Sequence, residues 1–197
     1  MERYSPSTAL IVVDVQNDFA DPEGSLAVPG AGEILPHVNR EVDRAEAAGA
    51  VIVYTQDWHP PSTPHFAKDG GIWPVHCVAD SWGARLHPAL RVVGALAVRK
   101  GAHGEDGYSG FTMRDPVSGS EAPTGLEQLL QARGVERVVV CGLATDYCVA
   151  ATALDAVRRG FPTSVVLDAV AAVDLEAGDG EEALRRLAHE DVALEEG

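Results

Sequence analysis

Lysine is nearly missing from this chain: among 197 residues it occurs only at positions 68 and 100, and 15 Lys and Arg against 30 Asp and Glu give a formal charge of -15. Sequence-independent contact with nucleic acid or anionic lipid needs clustered basic side chains, so the charge argues against both partners, and the acidity reads as solubility. Cysteine is scarce too. The three at 77, 141 and 148 make an odd number with no CxxC and no framework spacing. That speaks against a disulfide scaffold and for a reducing compartment. Nor is there a long apolar run. The stretch 9–13 is far too short to cross a bilayer, and the first residues lack a basic region followed by a long apolar run and a small-residue cleavage site. A cytoplasmic protein is the expectation. Repeats, low-complexity tracts and interdomain linkers are not seen either. With an ordinary hydrophobic content of 46%, one domain over 1–197 is expected, large enough to bury a full core.

What is present is an alternation of apolar strands and helix-favouring stretches. Residues 7–15 (STALIVVDV) read as a buried strand ending at Asp14, followed by a polar loop with Pro22, Gly24 and Pro29. A helix is predicted over 33–48, with Pro36 in its first turn, where a missing N–H costs little. Residues 50–55 form a second strand leading to Asp57. A long irregular segment over 57–88 follows, rich in proline and histidine; its Trp and Cys content argues against disorder and its length suggests function. A short third strand is predicted at 95–99, then a loop over 103–123. Thr124 is a candidate N-cap for a helix over 125–132. Residues 137–141 make a fourth strand, leading into GLATDYCVAATALDAV at 142–157, a glycine turn and then an Ala-rich helix that runs to about Arg159. A fifth strand at 163–167, a helix over 181–189 and an edge strand at 192–194 complete the chain. The fold expected is of the α/β class: a three-layer α-β-α sandwich around a doubly wound, mainly parallel sheet of about six strands. Ligands bind at the carboxyl ends of such strands, and Asp14, Asp57, Lys100 and Cys148 all lie at or just beyond them.

Two constellations carry chemistry on that rim. Asp14, Lys100 and Cys148 combine a thiol with a proton acceptor and a positive neighbour. With Asp146 as N-cap, Cys148 falls in the first helical turn, whose free N–H groups and dipole favour thiolate. A buried structural cysteine and a plain Asp–Lys ion pair are the blander readings of the same residues. Asp57 and His59, two apart on extended chain, point the same way, and His76 returns from the long loop with His65 as a possible fourth member. Two imidazoles and a carboxylate suit Zn²⁺ or Fe²⁺. Phe19, Trp73, Tyr108 and Phe111 are candidates for a flat substrate wall, though any one aromatic is more often core.

VVDVQNDF at 12–19, TQDWHP at 55–60, WPVHC at 73–77, RKG at 99–101, YSGF at 108–111 and GLATDYCV at 142–149 span nearly the whole chain. Their order resembles the nicotinamidases and pyrazinamidases of the isochorismatase-like cysteine hydrolase superfamily. The resemblance implies a catalytic triad of Asp14, Lys100 and Cys148. It also implies metal ligands Asp57, His59 and His76, with His65 joining them in some members, and a cis peptide at Leu143–Ala144. The amides of Ala144 and Cys148 are implied as the oxyanion hole, and Phe19, Trp73, Tyr108 and Leu143 as substrate contacts. One divalent ion is implied, zinc or iron first and manganese as a further candidate. The implied reaction is hydrolysis of nicotinamide, and of pyrazinamide by analogy, through a thioester, with the metal on the ring nitrogen. A small aromatic amide is the expected partner, and a homo-oligomer is left open. Two alternatives stand: an amidase of the superfamily acting on a different small amide, and a non-catalytic, thiol-bearing redox protein. The acidic pair Glu105 and Asp106 departs from expectation and is placed to border the pocket.

Overall fold

A computed structural model describes residues 3–94 and 96–197. Its centre is β1 (Thr8–Val13), six buried residues in a row, as a strand covered on both faces requires. Parallel pairing places β2 (Val51–Asp57) on one side of β1 and β6 (Arg137–Leu143) on the other. The sheet continues outward through β3 (Ala97–Lys100), β7 (Thr163–Ala171) and β8 (Ala193–Glu195), giving the order β3-β2-β1-β6-β7-β8 with every pairing parallel. Chain order therefore reverses between β1 and β6. A crevice opens beyond the strand ends at such a switch point.

Alternation of side chains along the strands splits the core in two. Leu10, Val12, Val139 and Cys141 face α2 (Ala31–Ala47), packing on Ile34, Val38 and Val42. Ala9, Ile11, Val138 and Val140 face the opposite layer, α3 (Leu126–Ala132), α4 (Ala150–Arg158) and α5 (Asp179–His189). The three-layer α/β sandwich is the architecture the alternation of elements predicted. Among the described residues no helix is long and apolar enough to cross a membrane.

Several local expectations are corrected. Residues 17–20 form a short helix, α1 (Asn17–Ala20), inside what reads as a loop. Helix α2 begins at Ala31, so Pro36 lies beyond the first turn, where its missing N–H costs the bond to the Gly32 carbonyl. The stretch 103–123 holds a small antiparallel hairpin, β4 (Thr112–Arg114) and β5 (Glu121–Pro123), too short to show alternation. Strand β7 runs past Asp168, which turns to solvent. The expected third strand starts on Ala95, which lies outside the described residues; β3 itself reaches Lys100.

Gly142 holds β6 against β1. Its φ is +111°, and a Cβ there would stand 2.1 Å from the Val13 carbonyl oxygen, a backbone atom that cannot rotate away. Gly142→Ala should lower stability by about 1 to 3 kcal/mol, read as a reduced midpoint of denaturant unfolding. A midpoint equal to wild type would show that the β1–β6 seam is looser than this contact implies.

Candidate active site

The rim of the sheet gathers four buried ionisable groups. Asp14 follows β1 with φ +49° and is 1% exposed. Lys100 ends β3 and is 0% exposed, so its ammonium must find every partner inside the protein. It donates to Asp14 Oδ2 at 2.6 Å, to Asp57 Oδ1 at 2.5 Å and to the Gly107 carbonyl, and its Nζ lies 3.5 Å from Cys148 Sγ. The Thr55 hydroxyl donates to Asp14 Oδ1 at 2.6 Å. Gln16 clamps the end of β2: its Nε2 donates to the Asp57 carbonyl at 2.8 Å, and its Oε1 accepts the Asp57 amide at 2.8 Å. One carboxylate oxygen each from Asp14 and Asp57, and the Cys148 sulfur, lie within 4.8 Å of one another. Sequence reasoning quoted Thr55 and Gln16 within motifs but assigned neither a contact.

Electrostatics separate the two carboxyls. Burial raises Asp14 to about 6 against the pull of Lys100. Burial also opposes ionisation of Asp57, but Lys100 and the nearby imidazoles of His59 and His76 hold it well below the ordinary range. Lys100 stays charged: burial works against it, and Asp14 and Asp57 outweigh burial. Cys148 corrects the expected thiolate. Burial pushes the thiol well above its ordinary value, with Lys100 opposing and the two carboxylates adding. Desolvation outweighs the pull of Lys100, so burial and not the ammonium decides the direction.

The entry to that helix is also corrected. Residues Thr145–Val149 form a single π-helical turn before α4, and the Ala144 carbonyl accepts the amides of Tyr147 at 3.1 Å and Val149 at 3.0 Å, on either side of Cys148. The Leu143–Ala144 peptide is cis. Asp146 does not cap the helix. Its carboxylate accepts the amides of Val173 at 3.0 Å and Asp174 at 2.8 Å, which ties the loop after β7 to the site.

The histidines converge beside Asp57. Ring nitrogens of His59, His65 and His76 lie within 4.8 Å of one another, and Asp57 Oδ2 is 3.8 Å from Nε2 of both His59 and His76. His76 Nδ1 bonds the Pro74 carbonyl at 2.8 Å, and His65 Nδ1 bonds Asp106 Oδ1 at 2.6 Å. Burial lowers the pKa of His65, with Asp106 opposing. His59 is 0% exposed, and neither of its ring nitrogens has a hydrogen-bond partner. Buried polar atoms left unpaired are costly. A carboxylate and three imidazoles around such an atom fit a divalent cation. Gly101 makes room for this ring: a Cβ there would lie 2.5 Å from His59 Cε1.

Between the thiol and the imidazoles is a narrow pocket. Phe19, Trp73, Tyr108 and Leu143, the implied substrate contacts, line it, and so do Leu26, Val28, Tyr147 and Val173, to which sequence reasoning gave no role. Tyr147 lies inside the GLATDYCV motif without having been given a contact, and no periodicity or motif flags the other three. The Trp73 indole donates to the Tyr108 hydroxyl at 2.9 Å, and Tyr147 stands edge-on to Trp73 at 4.8 Å. Phe111 belongs instead to the core, stacked on Phe161. Glu105 accepts the His103 amide and does not line the pocket.

Known proteins resemble the chain over most of its length. The nicotinamidase of Acinetobacter baylyi is 41% identical over 191 residues, 88% of this chain and 85% of that protein. The solved structure of the pyrazinamidase of Pyrococcus horikoshii in complex with zinc superposes with a TM-score of 0.86 at 38% identity, covering 98% of this chain and 100% of that one. PnC1 from L. infantum in complex with nicotinate gives 0.89 at 36% identity, over 98% of this chain and 94% of that one. The isochorismatase domain matches residues 8–194, and the chain belongs to the isochorismatase family.

Proposed function

We propose that this protein is a nicotinamidase, a metal-dependent cysteine amidohydrolase that converts nicotinamide to nicotinate and ammonia and also accepts pyrazinamide. The observation that carries the reading is the position of Lys100, whose ammonium bridges Asp14 in the thiol set and Asp57 in the imidazole set. A substrate reaching both sets offers an acyl carbon to the thiol at one end and a cation-binding atom at the other. A pyridine carboxamide has both, and pyrazinamide shares them. Relatives named for nicotinamide and pyrazinamide hydrolysis support the same choice.

The chain's own groups account for the chemistry. Aromatic and apolar walls at Phe19, Trp73 and Leu143 hold the ring flat and exclude water. Asp14, titrating at about 6, is a carboxylate at neutral pH and takes the Cys148 proton as sulfur attacks the amide carbon. The backbone N–H groups of Ala144 and Cys148 serve as donors to the oxyanion that develops. Asp14 then returns the proton to the departing nitrogen, the C–N bond breaks and ammonia leaves a thioester on Cys148. In the second half Asp14 removes a proton from water as its oxygen attacks the thioester carbon. Nicotinate departs as the thiol is regained. Lys100 keeps its charge throughout and holds Asp14 in place. Asp57, His59 and His76, with His65 as a further ligand, would hold a divalent ion, zinc or iron ahead of manganese. When bound, such an ion supplies a Lewis acid for the pyridine nitrogen and so fixes the direction of the ring.

Ammonia release from nicotinamide tests the proposal. Metal-loaded protein should turn over, chelator-stripped protein should lose about tenfold or more of the rate, and added zinc or iron should restore it. No release by loaded protein would reject the substrate. An undiminished rate after verified removal of all metal would reject the dependence on an ion.

A further inference from the structure

We propose that Asp106 is a positioning residue that sets metal affinity through His65, an inference that rests on the reading of the histidine cluster as a metal site. The three imidazoles are held in different ways. His76 bonds a neutral carbonyl, that of Pro74 at 2.8 Å, and the nitrogens of His59 bond nothing. Only His65 has a carboxylate as its hydrogen-bond partner among these three, Asp106 Oδ1 at 2.6 Å from Nδ1. A carboxylate there takes the Nδ1 proton as a hydrogen bond, which leaves Nε2 as the nitrogen with a free lone pair. It also fixes the ring plane and raises the basicity of that nitrogen. Carboxylate–imidazole–metal arrangements work in this way.

Asp106 is itself held from two sides. Its amide donates to the Arg114 carbonyl at 2.7 Å and its carbonyl accepts the Arg114 amide at 3.2 Å, so the β4–β5 hairpin grips the residue by its backbone. The hairpin is anchored in turn on α4, where Thr112 Oγ1 donates to Asp155 Oδ2 at 2.8 Å. The next residue along, Gly107, gives its carbonyl to Lys100. One short segment thus braces both the imidazole set and the lysine. This gives the hairpin a role: it aims a carboxylate at a ligand from outside the pocket.

The test is metal uptake by the apoprotein, measured by competition with a chromophoric chelator, with the visible spectrum of the cobalt(II) form as a second readout. Asp106→Ala should weaken cobalt and zinc binding by about 10- to 100-fold. Asp106→Asn, which keeps an acceptor oxygen without the charge, should recover part of that loss. In a His65→Ala background Asp106→Ala should change affinity by no more than about twofold, because the two residues act as one unit. Both single alanine variants should alter the cobalt spectrum alike. Affinity within about twofold of wild type in Asp106→Ala, or an equal further loss when His65 is already absent, overturns the proposal. Wild-type uptake that is indifferent to His65→Ala also overturns it and leaves the other ligands standing. Wild-type apoprotein that takes up neither cobalt nor zinc overturns this inference together with the metal site beneath it.

Discussion

Cys148→Ala is expected to lower the rate of ammonia release from nicotinamide by about 10⁴-fold or more, with metal uptake and nicotinamide binding within a few-fold of wild type. The size follows from the role. Removing a nucleophile removes the covalent route itself, and what remains is the orientation supplied by the pocket and the oxyanion donors. Binding should persist because Phe19, Trp73 and Leu143, the walls proposed to hold the ring, do not depend on the sulfur. Folding should persist as well. Cys148 is 8% exposed at the edge of the pocket, and truncating one sulfur there widens an existing space. Single-turnover and steady-state assays, with the metal content of each sample measured, separate these effects. Turnover within about tenfold of wild type would contradict the thioester mechanism.

Lys100→Met should be the most damaging change to the fold. The ammonium is the common partner of Asp14 and Asp57, which are 1% and 4% exposed. A methionine of similar length fills the space but strands two carboxylates without a countercharge. Breaking a buried pair in this way costs about 3 to 5 kcal/mol, which for a domain of this size lowers Tm by roughly 6 to 20 °C. Activity should fall with it, since Asp14 loses the charge that keeps it an acceptor. The double variant Lys100→Met with Asp14→Asn separates the two losses. Neutralising one stranded carboxylate should return part of the stability and none of the activity, a non-additivity expected of residues in contact. Stability of Lys100→Met within about 1 kcal/mol of wild type would mean that the carboxylates find other partners or take up protons without cost.

Much of the fold was legible because strands buried on both faces have an unmistakable composition. Thr8–Val13 and Arg137–Leu143 are apolar, β-branched runs, and helices between such strands leave a parallel sheet as the economical solution. Lys100 stood out for a compositional reason: in a chain with two lysines, one at the end of an apolar strand has no ordinary surface role. What was not legible depends on loop geometry. The hairpin Thr112–Pro123 has three residues a strand, below the length at which alternation can be read. Val28 and Val173 reach the pocket from irregular segments that carry no periodic signal.

The sequence by itself determined the class of sheet, the strand ends on which Asp14, Asp57 and Lys100 stand, and the residue types that the chemistry needs. These follow from periodicity and from side-chain chemistry, which are local properties. Only the tertiary structure decided how those groups are charged and paired. A thiol expected to favour the thiolate at a helix end is pushed upward by burial, and Asp146 serves the loop after β7 instead of the helix. Asp106, read in the sequence only as half of an acidic pair beside the pocket, is the partner of His65. Desolvation and partner choice arise from atoms distant along the chain, so no local pattern of residues encodes them.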